Sequence, residues 1–328
     1  MLLDYTLFLS GTLASLLVAL LLDAVFGDPD WIWRRIPHPV AWIGALISGA
    51  DKLLNFRGNG TINYLSGTIA IVFLAGCAGL AGLGMRLLSA QSLGGSVAMI
   101  VLAAILLAQK SLYVHVSRVA AALSDPDIVT ARRAVAMIVG RNPEDLDRSG
   151  ISRAAIESTA ENLSDGVIAP AFWFAIAGFP GLLIYKMVNT ADSMIGHRNE
   201  TYGAFGWATA RLDDLLNLIP ARLTAILLAL CAPLVGNSPF KALGGAIREA
   251  RWHKSPNAGW PEAATAYALG ISLAGPRQYG DEKVDAPFFN ASGRRDSDAR
   301  DIGRALRLLV AALVLHWLIY MGLYAALA

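Results

Sequence analysis

The stretch Tyr64-Leu-Ser-Gly-Thr-Ile-Ala-Ile-Val-Phe-Leu-Ala-Gly-Cys-Ala-Gly-Leu-Ala-Gly-Leu-Gly-Met85 contains no charged side chain. A helix crosses the hydrocarbon core of a bilayer with about 20 apolar residues, so this run points to a membrane-helical chain. Leu87–Gln109 and Leu308–Ala328 meet the same test, and Leu7–Phe26 meets it apart from Asp23. Val167–Tyr185 and Leu223–Phe240 are marginal, because proline and small or polar residues interrupt them. The 328 residues are 55% hydrophobic and 16% charged, with mean hydropathy +0.50. That balance is too apolar for an ordinary soluble fold. The expected fold is all-α: a polytopic integral membrane helical bundle with four to six spans or buried and re-entrant helices, and sizeable cytoplasmic loops. Residues 1–328 are read as a single integral membrane domain.

A net charge of +2 gives no case for nucleic acid. Cys77 and Cys231 sit inside apolar runs and read as small buried hydrophobes, with no Cys/His cluster for zinc. The N-terminal run lacks a basic flank and a small-x-small cleavage site, so it is read as a retained span.

Three linkers are polar: 27–63, 113–166 and 237–304. They carry the basic residues, among them Arg34, Arg35, Lys52 and Arg57 in the first and Arg118, Arg132, Arg133, Arg141, Arg148 and Arg153 in the second. The excess of Lys and Arg places them on the cytoplasmic face. If all six apolar runs span, Asn189–Asn217 falls on the opposite face. If Val167–Tyr185 and Leu223–Phe240 are re-entrant or protein-buried, every polar motif faces the cytoplasm or a cavity open to it, and this second topology is preferred. Within the linkers, Ala131–Val139 and Ile151–Leu163 read as helices, Ser124-Asp-Pro-Asp127 as a helix start, and Gly275–Ser297 as an irregular loop.

Ionisable groups near lipid are costly and mark function. Glu157 and Glu161 share a helix face at i,i+4, followed by Asn162 and Asp165. These hard oxygen donors suit magnesium or an amine; the alternative is a solvated acidic face. Lys186, Asn189, Asp192 and Ser193 recur at helical spacing beside the next apolar run, where Lys186 can also snorkel and Asp192 can be its structural partner. Arg211, Asp213, Asp214 and Asn217 precede Arg222; Arg211 either pairs with Asp214 or joins Arg222 on a phosphate. His253, Lys254, Ser255 and Asn257 form a donor-rich loop, with His253 a candidate acid or base. His38, between two prolines, and Asp28 are candidate ligand contacts or turn residues. There is no P-loop, no Gly-x-Ser-x-Gly elbow and no zinc-type His cluster.

The order and density of these strings resemble the adenosylcobinamide-phosphate synthase (CobD/CbiB) family over nearly the whole chain. The resemblance runs through Leu22-Asp-Ala-Val-Phe-Gly-Asp-Pro29, Pro37-His-Pro-Val40, Ala155-Ile-Glu-Ser-Thr-Ala-Glu-Asn-Leu-Ser-Asp-Gly166, Lys186-Met-Val-Asn-Thr-Ala-Asp-Ser193, Arg211-Leu-Asp-Asp-Leu-Leu-Asn217 and His253-Lys-Ser-Pro-Asn-Ala-Gly-Trp-Pro-Glu262. The chain departs from it at the Trp31-Ile-Trp-Arg-Arg35 insert and at Arg141-Asn-Pro143.

The resemblance implies a ligase of cobalamin biosynthesis in the bacterial inner membrane, multi-pass, with its active site facing the cytoplasm. It implies ATP and magnesium, a corrinoid as substrate and not cofactor, an aminoalcohol phosphate as co-substrate, and other pathway enzymes as partners. The roles then expected are magnesium on Glu157, Glu161 and Asp165, phosphate on Arg211, Arg222 and Lys186, and proton transfer by Asp192, Asp213 or His253, all gathered on one wet pocket. A corrinoid or ion transporter is disfavoured by the absence of an internal repeat. A non-catalytic membrane sensor is disfavoured because it would not need these polar motifs.

Overall fold

The computed structural model describes residues 2–56, 60–140, 143–197, 199–279, 282–284 and 286–328, with the side chains of 2–7, 30 and 277–285 left aside. Arg57 and the Arg141-Asn142 step lie outside the described residues. The helices in chain order are α1 (Leu2–Phe26), α2 (Asp30–Trp33), α3 (Pro39–Leu54), α4 (Gly60–Gln91), α5 (Leu93–Leu106), α6 (Gln109–Ser124), α7 (Ile128–Ala136), α8 (Arg148–Leu163), a π turn (Ser164–Ile168), α9 (Ala169–Ile195), α10 (Trp207–Leu216), α11 (Leu218–Cys231), α12 (Pro239–Glu249), α13 (Gly259–Leu269) and α14 (Ala299–Leu327). Among the described residues, six helical segments are long and apolar enough to cross a membrane. Arg148–Ile195 and Leu218–Val235 are the most protein-covered, with 61% and 56% of the window buried against 28–39% for the others. The first contains the expected buried run Val167–Tyr185, and the second covers 223–235 of the expected run Leu223–Phe240.

Lipid-facing character is written on α4. Leu65, Ile69, Phe73 and Leu80 are all exposed along one flank, which in water would be an aggregating stripe. Cys77 lies on that exposed flank and not in the core, whereas Cys231 is buried. The expectation for Cys77 fails because this span is apolar on both its buried and its exposed flanks.

The chain divides into two compact units, residues 1–108, 169–217 and 320–328 in the first and 109–168 and 218–319 in the second. The first is centred on α3, α4 and α9, with Ile47, Ala70, Ile71, Leu74, Val188, Ala191 and Phe205 in its core. Backbones approach closely there. A Cβ on Gly67 would stand 1.9 Å from the Phe205 carbonyl oxygen, and one on Gly82 would stand 2.5 Å from Pro180 Cα. Small residues permit such contacts where lipid supplies no hydrophobic drive between helices. Gly178 (φ 66°) and Pro180 break α9 midway, because neither continues the regular helix. Past α9 the chain turns back: the Tyr202 hydroxyl donates to Asp51 Oδ2 (3.4 Å) and Asn55 Nδ2 donates to the Thr201 carbonyl (3.3 Å). Thr201 and Tyr202 therefore stand at the same end of this unit as Asp51 and Asn55 of the first basic linker, which goes against the topology that put that linker and 189–217 on opposite faces.

The second unit packs α6, α7, α8, α11, α12 and α13 with the first part of α14 around Val116, Val119, Ile151, Ile156, Leu228, Ala264 and Leu309. Its helix starts are capped: Asp127 accepts from the Val129 and Thr130 amides, as the Ser124–Asp127 string indicates, and Asp147 accepts from the Gly150 amide. Gly275–Ser297 is not wholly irregular. It contains a short antiparallel ribbon, Arg277–Tyr279 with Glu282–Val284, and its Phe288–Phe289 pairs antiparallel with Leu273–Ala274 just before it.

Gly67→Ala should lower thermal stability in detergent by about 1–3 kcal/mol through overpacking. Gly76→Ala on the same helix, where an added Cβ has nothing within 4 Å, should leave the melting temperature unchanged.

Candidate active site

In the first unit the polar residues of α9 and α10 meet around one carboxylate. Asp213 is buried. Asn189 donates through Nδ2 to its Oδ1 (3.2 Å), and Asn217 donates through Nδ2 to its Oδ2 (3.0 Å). The Tyr185 hydroxyl donates to Asn217 Oδ1 (2.9 Å), fixing that amide from behind. Tyr185 is fully buried and was not singled out from the sequence, where it reads as one more aromatic at the end of an apolar run. Burial and then the neighbouring Asp192 charge raise the Asp213 carboxyl to about 7, against the opposing hydrogen bonds from Asn189 and Asn217. Lys186 is buried on α9, and Ser193 turns its hydroxyl back to the Asn189 carbonyl (3.0 Å). Arg211 pairs with Asp214 at 3.1 Å, so the simple i,i+3 reading holds for it. Beside this cluster, still within the first unit, lies a cavity of about 480 Å³ lined by Tyr64, Gly196, His197, Asn199, Trp207 and Arg211.

Other expected site residues serve the loops. His38 accepts the Val40 amide at Nδ1 (3.2 Å) as the cap of α3, faces Asp28 with Nε2 (3.3 Å), and meets Trp33 edge-on at 4.6 Å. Asp28, Trp33 and His38 thus clasp the link between α1 and α3. In the second unit, His253 Nδ1 accepts the Ser255 amide (3.0 Å) and Nε2 lies 3.6 Å from the buried Glu262. His253 thus ties the Ser255 turn ahead of α13. Ser255 Oγ accepts the Asn257 and Ala258 amides ahead of α13. Arg222 donates to Asn257 Oδ1 (2.8 Å) and the Pro256 carbonyl and stacks over Trp260 at 4.7 Å. It braces this loop, and the phosphate role expected for it is correspondingly disfavoured. Lys254 is exposed.

The acidic face of α8 divides in the same way. Glu157 is buried and accepts the Ala274 amide at Oε1 (2.8 Å). Glu161 and Asn162 are exposed, Asn162 bonding to the Ser158 carbonyl (2.9 Å). Asp165 sits in the π turn, whose wider winding breaks the i,i+4 alignment with Glu161. Among the described residues no three His, Cys, Asp or Glu side chains group to hold a metal ion. The expected three-carboxylate cage is therefore not assembled, since Glu157 is committed to the strand at Ala274. Glu161 and Asp165 are hard oxygen donors, the ligand type magnesium takes. Sequence reasoning also missed a buried staple: Glu249 accepts from Tyr267 Oη (2.5 Å) and from the Asn290 amide (2.8 Å). Burial and then the Glu249 carboxylate raise the Tyr267 phenol.

Two outcomes follow. Glu157→Ala should cost about 1–3 kcal/mol by leaving the Ala274 amide unpaired, and Glu161→Ala about 0.5 kcal/mol or less as a surface change; thermal unfolding in detergent compares them. The folded protein keeps a proton on Asp213 up to about pH 7, whereas the unfolded chain releases it near the ordinary value of 3.8. Stability should therefore fall as pH rises across that window and level off above it, and Asp213→Asn should remove this slope.

The chain matches the family described as CobD/Cbib protein over residues 16–309. It is 51% identical over 312 residues to the "Cobalamin biosynthesis protein CobD" of Brucella suis biovar 1, covering 93% of this chain and 92% of that one. It is 51% identical to that of Rhizobium meliloti over 305 residues (92% and 93%). It is 45% identical to that of Rhodobacter capsulatus over 295 residues (90% and 92%). No solved structure matches it. With a match across most of its length and half its residues shared with such relatives, this chain belongs to the CobD/CbiB family of cobalamin biosynthesis.

Proposed function

We propose that the protein is an ATP-dependent, amide-forming ligase. It joins a propionate of adenosylcobyric acid to the amine of an aminopropanol phosphate, or a close aminoalcohol phosphate, to give adenosylcobinamide phosphate. The observation that carries this reading, beside family membership, is Asp213: a buried carboxylate held by two amides, with a pKa of about 7 and a small-molecule cavity beside its cluster.

A carboxylate is a poor electrophile. Transfer of the ATP γ-phosphoryl group to the propionate oxygen gives an acyl phosphate and ADP. The aminoalcohol phosphate arrives as an ammonium and must lose a proton before its nitrogen attacks the acyl carbon. The amide bond then forms as the carbon–oxygen bond to phosphate breaks, releasing inorganic phosphate. Asp213 is the base we assign to that proton, since a general base works best with its pKa near the working pH. Asp192 raises its proton affinity, and Asn189, Asn217 and Tyr185 hold its orientation. Arg211, and Lys186 on α9, are the cations of the same unit suited to phosphate oxygens. Magnesium, when bound, neutralises phosphate charge. The basic linkers support an inner-membrane protein whose working face is cytoplasmic.

The test uses purified full-length protein in detergent with cobyric acid, aminopropanol phosphate, ATP and magnesium, read by mass. The expected product is the amide with one ADP per turnover; amide formation at an equal rate without ATP would refute the reading. The rate should rise with pH through about 7 as Asp213 ionises. Asp213→Asn should lower kcat by ~10²–10⁴-fold and abolish that rise.

A further inference from the structure

The chain has no P-loop, so a nucleotide must be recognised by some other device. The cavity of the first unit offers one. Tyr64 and Trp207 meet in a T-shaped pair, centroids 5.8 Å apart and planes at 75°. Both are about half exposed, each at 47%, so the pair forms an open aromatic corner. A flat ring laid on one member meets the other at an angle, the geometry aromatic groups favour. Around this corner stand His197, Asn199 and Arg211. Arg211 uses one N–H on Asp214 and has further donors on its guanidinium. The volume of about 480 Å³ falls in the range of small-molecule sites, ~300–1,000 Å³. An aminoalcohol phosphate alone has no ring for the corner.

The cavity is also tied to the carboxylate cluster. Gly196 lines it, and a Cβ on Gly196 would stand 1.9 Å from Asp192 Oδ1. The Asp192 carboxylate therefore lies directly against this wall glycine.

We propose that this cavity is an adenine-nucleotide site, with adenine against Tyr64 and Trp207 and the phosphates toward Arg211. This deepens the ATP dependence proposed above and rests on it. Adenine stacking is sequence-independent chemistry that needs only a π face, and a guanidinium matches phosphate oxygens in a bidentate fork.

The experiment is photolabelling with 8-azido-ATP and equilibrium binding of ATP, on the full chain in detergent with magnesium and no corrinoid, so that no turnover occurs. The label is expected on a peptide within 196–211 or at Tyr64. Trp207→Ala should weaken ATP binding ~10-fold or more, and Trp207→Phe should restore it to within ~3-fold, as stacking predicts. Arg211→Gln should weaken ATP far more than adenosine. Each variant is first checked for a monodisperse elution profile. Labelling elsewhere, or unchanged ATP affinity in Trp207→Ala and Arg211→Gln, overturns the proposal. Competition by 5′-deoxyadenosine as effective as by ATP also overturns it, because the corner would then serve the adenosyl group of the corrinoid. The two readings separate cleanly: wild-type protein that makes amide with ATP while labelled elsewhere loses only this site, whereas wild-type protein that neither binds ATP nor needs it loses both.

Discussion

Holding a carboxylate away from water beside apolar helices is expensive, several kcal/mol for an ionised group that finds no compensation. Asp213 lives under that constraint. Two side-chain amides offset part of the cost by donating to its two oxygens, and Asp192 works against them. The balance leaves the group neither firmly charged nor firmly neutral near neutral pH. Such a balance requires α9 and α10 to be placed with little freedom, because a shift of an ångström would strand either the amides or the carboxylate.

That placement comes from backbone contact. The segment after α9 lies against α4 at Gly67, and the break in α9 lies against α4 at Gly82. At these points α4 meets its neighbours with no side chain between. In a membrane, where lipid is as apolar as leucine, this contact and the hydrogen bonds of Asn55, Asp51 and Tyr202 supply the cohesion that water would supply elsewhere. Polar site and glycine contacts are thus parts of one design: the second fixes the geometry that the first needs.

Much of the fold was readable. Long uncharged runs became spans, and Asp127 became a cap, because both signals are local. The irregular reading of Gly275–Ser297 missed its ribbons, since pairings of two and three residues are too short to leave a period to detect. Cys77 was misplaced because an apolar span gives no sign of which flank meets lipid. At the site, Asn189, Asp213 and Asn217 were named from spacing and do meet. Tyr185 and Glu249 were missed because their partners are 32 and 41 positions away, beyond any helical repeat.

The polar strings that carry the family resemblance turn out to have two physical origins. His38, Glu157 and Ser255 accept backbone amides, and Arg222 donates to a backbone carbonyl and to Asn257. Loops near a bilayer have little water to satisfy their peptide groups, so side chains must do it. Asp213 differs in kind. Its partners are side-chain amides: Tyr185 holds Asn217 in its donating orientation, while Asn189 carries both an N–H and a carbonyl oxygen on one rotatable group. A carboxylate pinned by backbone N–H groups is stabilised only as the anion. One faced by amides can be bonded in both protonation states, and that reversibility is what a proton-accepting group requires.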